Sequence, residues 1–125
     1  MPPTLNPARP VPDAATAAAR IGWTTLPTRE DAERLAVMLV ERRLAACVQI
    51  DGPVESHYHW QGKPCRDTEW RLAVKHLAAN ATAVEAAVLQ NHPYTVPQWI
   101  AVDATGVSPA YLAWMLDNNL PNARP

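Results

Sequence analysis

The chain has 125 residues, 48% of them hydrophobic, and a formal net charge of −1. That is one domain with material for one core. The near-neutral charge leaves no basic field for a phosphate backbone, which argues against nucleic acid, and no apolar run approaches the ~20 residues of a membrane helix.

Residues 1–17 carry Pro2, Pro3, Pro7, Pro10 and Pro12 and lack the apolar core of a secretory leader, so a disordered extension is expected there. In a chain with no such leader, a disulfide between the two cysteines, Cys47 and Cys65, is possible but is not the default in a reducing compartment. The domain itself is expected over 18–119. Arg20–Leu26 is rich in β-branched and aromatic residues and predicts a strand, ended by Pro27. Thr28 is placed as an N-cap, with Asp31 where a capping-box acid stands. Asp31–Arg43 predicts a helix whose apolar stripe is Ala32, Leu35, Ala36, Leu39 and Val40. Its acids fall in the first turn, and Arg42 and Arg43 in the last, as the helix dipole favours.

Ala46–His76 predicts a long antiparallel hairpin. Val48, Ile50, Val54, Tyr58 and Trp60 alternate with polar residues, which assigns them to one buried face. Gln61-Gly62 supplies the turn. On the return strand Trp70, Leu72 and Val74 point one way, and Glu69, Arg71, Ala73 and Lys75 the other. Strands this long leave edges that need a partner. A second helix follows at about Ala79–Asn91, stopped by His92-Pro93. Tyr94-Thr95-Val96-Pro97 forms a stiff loop, and Trp99–Val102 a fourth strand. Ser108-Pro109 opens a short helix that buries Tyr111, Leu112 and Met115, with Trp114 on its flank. The tail, 120–125, is expected to fray.

The order βαββαβ plus a final helix predicts a ferredoxin-like α+β sandwich: an antiparallel four-stranded sheet with both main helices on one face. Oligomerisation is the simplest cover for the other face.

Several side chains invite a functional reading beside an ordinary one. Cys47 is either a small buried hydrophobe or a soft-metal ligand. His92 is either a helix-end cap or a binding residue in a pinned loop. His57 and His59 share a strand face at i, i+2, a spacing that chelates metals and equally suits two solvated side chains; His76 is read as exposed. Glu69 and Lys75 share a face but stand about 20 Å apart, so each needs another partner. Tyr58, Trp60, Tyr94 and Trp114 supply aromatic area for a core or a pocket. No nucleophile–base pair has catalytic spacing, and with four glycines no phosphate-cradling loop is present. An enzyme is not expected.

Ala32–Ala36 followed by Arg43-Leu44-Ala45-Ala46-Cys47-Val48 resembles the A-x-x-L-A … L-A-A-C-V block of the CutA family, the divalent-cation tolerance proteins. Ser56–Lys63 is similar to the family's S-x-Y-x-W-x-G-K turn, and Glu69, Leu72 and Lys75 match its E-x-x-L-x-x-K strand. His92-Pro93-Tyr94 with Val96-Pro97 resembles its H-P-Y-E-x-P loop, and Tyr111–Trp114 its closing Y-L-x-W. The likeness runs in order from about Gly22 to Trp114.

The resemblance implies a homotrimer with a subunit architecture like the nitrogen-regulatory PII proteins, hairpins paired between subunits, and a link to copper or other divalent cations without enzymatic activity. It points to Cys47 and His92 as metal ligands, and to Tyr58, Trp60, Glu69, Lys75, Tyr94 and Trp114 as the lining of a cleft between subunits. A second reading is a PII-like signalling or interaction trimer for a small anion, held through Lys75, or for a partner protein. Thr95 and Gln98 stand where the family commonly has glutamates, so this loop is less suited to a hard cation.

Overall fold

The computed structural model describes residues 19–120. The expected N-terminal extension and positions 121–125 of the expected tail lie outside the described residues. The elements are β1 Ala19–Leu26, α1 Arg29–Glu41, β2 Cys47–Trp60, β3 Lys63–Leu77, a 3-10 turn Ala78–Asn80, α2 Ala81–Gln90, β4 Ile100–Ala104 and α3 Pro109–Asp117. The sheet order is β2-β3-β1-β4 and every pairing is antiparallel. With α1 and α2 on one face, this is the expected ferredoxin-like α+β sandwich.

Local chemistry fixes the helix ends. Thr28 Oγ1 accepts from the Asp31 N–H at 3.1 Å and starts α1. Arg43 adopts φ 57°, and the N–H groups of Leu44 and Ala45 turn back to the Leu39 carbonyl. That left-handed residue ends the helix early, so Arg42 and Arg43 follow the last turn instead of lying in it. In α3, Ser108 Oγ accepts from the Tyr111 N–H, with Pro109 in the first turn. Its buried residues are Ala113, Met115 and Leu116; Tyr111 and Leu112 are only partly buried. The helix packs over one end of the sheet, against Ala19, Ala46 and Leu77, and its inward face is turned by about one position from the expected one. At the C-terminal end the Leu120 N–H is bonded to the Arg43 carbonyl at 3.0 Å.

Residues opposite one another in an antiparallel ladder share a face. The register therefore assigns Gly22, Thr24 and Leu26 of β1 and Trp70, Leu72, Val74 and His76 of β3 to the helix side. There Leu26, Leu72 and Val74 join Leu35 and Leu39 of α1 and Val84 and Val88 of α2 in the main core. Each such side chain contributes about 1.5–3 kcal/mol. Gly22 is required by a close approach: a Cβ on it would stand 2.1 Å from the Trp99 indole.

His76 is a correction: it is wholly buried, with its ring 6.0 Å from that of Trp99. Its position continues the inward series Leu72, Val74, and the same period of two buries it. Nδ1–H donates to the Val74 carbonyl at 3.0 Å, and Nε2 has no partner among the described residues.

The opposite face carries Ile21 and Trp23 of β1, Ala73 of β3, and Ile100 and Val102 of β4, the last two 59% and 47% exposed. Of the three α-helices, α3 packs on this side, at one end.

The hairpin departs from a single alternation. Asp51 pairs with Arg71, but Val54 pairs with Glu69, so Gly52 and Pro53 together oppose Trp70. One extra residue reverses the facing of everything beyond it. Val48 and Ile50 point into the helix-side core, whereas Val54, Tyr58 and Trp60 point to the open face with Glu69. The apolar even positions of β2 thus serve two faces. At the tip, Gln61 (φ 53°) and Gly62 (φ 78°) make the two-residue turn that joins Trp60 to Lys63.

Candidate ligand cleft

The bulge at Gly52-Pro53 sets the site. It brings Tyr58 and Trp60 to the face that carries Asp67 and Glu69, and the loop after α2 folds over them with Tyr94, Val96 and Pro97. Between hairpin and loop lies an open cleft of about 730 Å³.

His92 holds the loop in place. Its Nδ1 accepts from the Tyr94 N–H at 3.1 Å, and its Nε2–H donates to the Thr25 carbonyl at 2.9 Å, with Thr24 Oγ1 at 3.1 Å. These partners define a neutral ring protonated on Nε2, and burial pushes its pKa below the ordinary value. Tyr94 OH then donates to Glu69 Oε2 at 2.8 Å. Burial and the Glu69 carboxylate together push the Tyr94 phenol well up. Tyr58 OH donates to Asp67 Oδ2 diagonally across the hairpin, and this bond pushes Tyr58 up to about 12. Glu69 is 7% exposed. Arg71, its neighbour on the same face, binds Asp51 instead, at 3.2 Å.

Of the residues expected in one cleft, Tyr58, Trp60, Glu69 and Tyr94 come together. Within one chain Lys75 and Trp114 lie elsewhere: six residues along β3 from Glu69, Lys75 Nζ sits 5.8 Å from the Tyr111 ring in a smaller cavity of about 300 Å³. Trp114 stacks on Tyr111 at 5.3 Å. Asp67 and the rim of Val96, Pro97 and Gln98 join the cleft without having been expected there. The Asp67 contact was readable in principle, because a two-residue turn at Gln61-Gly62 fixes which residues meet across the hairpin.

The two expected metal ligands are not brought together within one chain. Cys47 begins β2 opposite Lys75, level with Ile21, whereas His92 is bonded at Thr24 and Thr25. Cys47 lies beside Tyr111, whose phenol is pushed up by burial and then by the Cys47 thiol. Both nitrogens of His92 are engaged, and each cleft carboxylate already accepts a tyrosine hydroxyl. Among the described residues no three or more His, Cys, Asp or Glu side chains gather as a metal group. One chain's donors therefore do not fit a closed, resident metal centre. His57 lies nearest Glu55, at 3.6 Å, which also contacts Arg66. Cys47 and Cys65 are both free, near opposite ends of the hairpin.

A family model described as CutA1 divalent ion tolerance protein matches residues 20–118. The chain belongs to this family. It is 39% identical over 94 residues to a divalent-cation tolerance protein CutA of Thermus thermophilus, covering 75% of this chain and 91% of the relative. It is 40% identical over 93 residues to a chloroplastic CutA of Arabidopsis thaliana, covering 74% of this chain and 51% of the relative. The chain thus spans about half the length of the plant relatives it matches. The crystal structure of CutA1 from Oryza sativa superposes with a TM-score of 0.80 at 35% identity, over 83% of this chain and 95% of that one.

Proposed function

We propose that the chain serves divalent-cation tolerance as a homotrimer that takes a divalent cation, copper(II) first, or a small ligand at clefts between its subunits. The observation that carries this reading is Glu69 with Asp67: two carboxylates on the face the main helices leave open, in a cleft that among the described residues is lined by no Lys or Arg. The exposed Ile100 and Val102 on the same face, and the edge of the 14-residue β2, support assembly. Because one chain offers too few donors, the cation is cargo held with water and donors of a second subunit, not a resident cofactor. The free cysteines suit a reducing compartment such as the cytoplasm. Among the described residues no helix is long and apolar enough to cross a membrane.

Native mass spectrometry with and without copper(II), followed by calorimetry, tests this. A trimer that binds copper, and binds it less in Asp67→Asn/Glu69→Gln or in Cys47→Ser/His92→Ala, supports the reading and locates the ligands. A monomer overturns the assembly. A copper titration unchanged in both double variants overturns the metal role.

A further inference from the structure

Glu69 poses an electrostatic question that the described residues do not answer. Its side chain is more than nine-tenths buried, yet among the described residues no Lys, Arg or His forms an ion pair with it or with Asp67. The nearest candidate on its own face, Arg71, is held by Asp51 through two nitrogens, at 3.2 and 3.3 Å. Buried carboxylates are ordinarily paired with a cation, because desolvation is costly without one. The Tyr94 hydroxyl gives Glu69 one hydrogen bond but no charge.

The walls narrow down which cation answers. Hard divalent ions take six or more oxygens, and here one oxygen of each carboxylate already accepts a tyrosine hydroxyl. Aromatic walls come from Tyr58, Trp60 and Tyr94, with Val96 and Pro97 at the rim; the remaining lining is mostly polar and includes His57. Aromatic faces beside paired carboxylates bind an organic cation, the rings attracting the charge and the apolar rim covering its alkyl chain.

We infer that the cleft is a receptor for an alkylammonium or alkylguanidinium group, with Glu69 and Asp67 as its counter-charges and Tyr58, Trp60 and Tyr94 as its walls. This rests on the cleft being the ligand site and names the ligand's class. The group belongs either to a free small amine or to a Lys or Arg side chain of a second copy, since both present the same chemistry.

The test uses the full chain in its native assembly. Butane-1,4-diammonium and butylguanidinium are titrated by calorimetry and tryptophan fluorescence, beside the neutral control butan-1-ol and copper(II) alone. The expected result is saturable binding of the two cations but not of butanol. Glu69→Gln, which keeps an acceptor for Tyr94, then weakens binding at least about tenfold, as when a buried charge loses its partner. Trp60→Leu, at an exposed position, weakens it a few-fold and covers the case in which Glu69→Gln fails to fold. If neither cation binds but Glu69→Gln breaks the assembly in native mass spectrometry, the cation is a side chain of the second copy and the inference holds in that form. Cation binding that is equal in wild type and Glu69→Gln overturns it. So does a wild type that ignores both cations while Glu69→Gln assembles normally. In that last case copper binding lost in Glu69→Gln preserves the cleft as the ligand site, and absence of copper binding removes both readings.

Discussion

The Tyr94 hydroxyl donates to Glu69 Oε2 at 2.8 Å, joining the loop after α2 to the middle of β3. With His92 bonded to Thr25, it makes the cleft wall part of the folded framework instead of a free flap. Tyr94→Phe removes the only hydrogen bond to the Glu69 carboxylate among the described residues. The expected cost is about 1.5–3 kcal/mol, the range for a bond to a charged group. Urea unfolding checks it, and Tyr58→Phe, whose partner Asp67 is exposed, is expected to cost much less.

Gly22→Ala drives a Cβ into the Trp99 indole and is expected to destabilise by about 1–3 kcal/mol or more through overpacking. In a Trp99→Leu background the same change costs less than half as much. A double-mutant cycle on unfolding midpoints measures the coupling, and additive effects would remove the steric explanation.

Gly52 holds φ +150°, and a Cβ there stands 2.8 Å from Trp70 Cε3. Gly52→Ala is therefore expected to cost about 1–3 kcal/mol. Gly106→Ala, where a Cβ meets nothing, stays within about 0.5 kcal/mol and serves as the control in thermal unfolding.

Stability falls on the acid side. Burial, and then the nearby Arg20 charge, hold His76 below its ordinary 6.5. The folded state thus takes up its proton less readily than the unfolded chain does. The stability involved is fully present above 6.5 and is lost as pH falls through that value toward the folded pKa, at up to about 1.4 kcal/mol per pH unit for one proton. His92 is depressed too, chiefly by burial, and acts with the same sign. Melting temperatures at fixed protein concentration between pH 8 and 5 are expected to fall, and His76→Asn to flatten the slope. An unchanged slope would assign the acid loss to other groups.

Much of the framework was legible because it rests on local chemistry. Thr28 and Ser108 cap the helices assigned to them, and Gln61-Gly62 makes the expected turn. His76 was misread although its signal was present, since the alternation that buries Leu72 and Val74 extends to it. The bulge was the larger loss. Gly52-Pro53 inside a strand is a warning of broken alternation, but an apolar residue at every second position on both sides of it looks like one continuous face. The meeting of Asp67 with Tyr58 lies outside the bulge and follows from the two-residue turn at Gln61-Gly62. Within one chain, the distance of Lys75 from Glu69 follows from the strand rise, whereas the place of Trp114 depends on where α3 packs, and no local pattern encodes that.

The slip at Gly52-Pro53 divides one continuous strand between two allegiances. From Cys47 to Ile50, β2 is tied to the body of the domain; from Val54 to Trp60 it belongs to whatever occupies the cleft. Substitutions in the outer stretch alter the cleft while leaving the packing beneath the helices untouched, and those in the inner stretch do the reverse. Cleft shape and foldability are therefore separately tunable along a single hairpin.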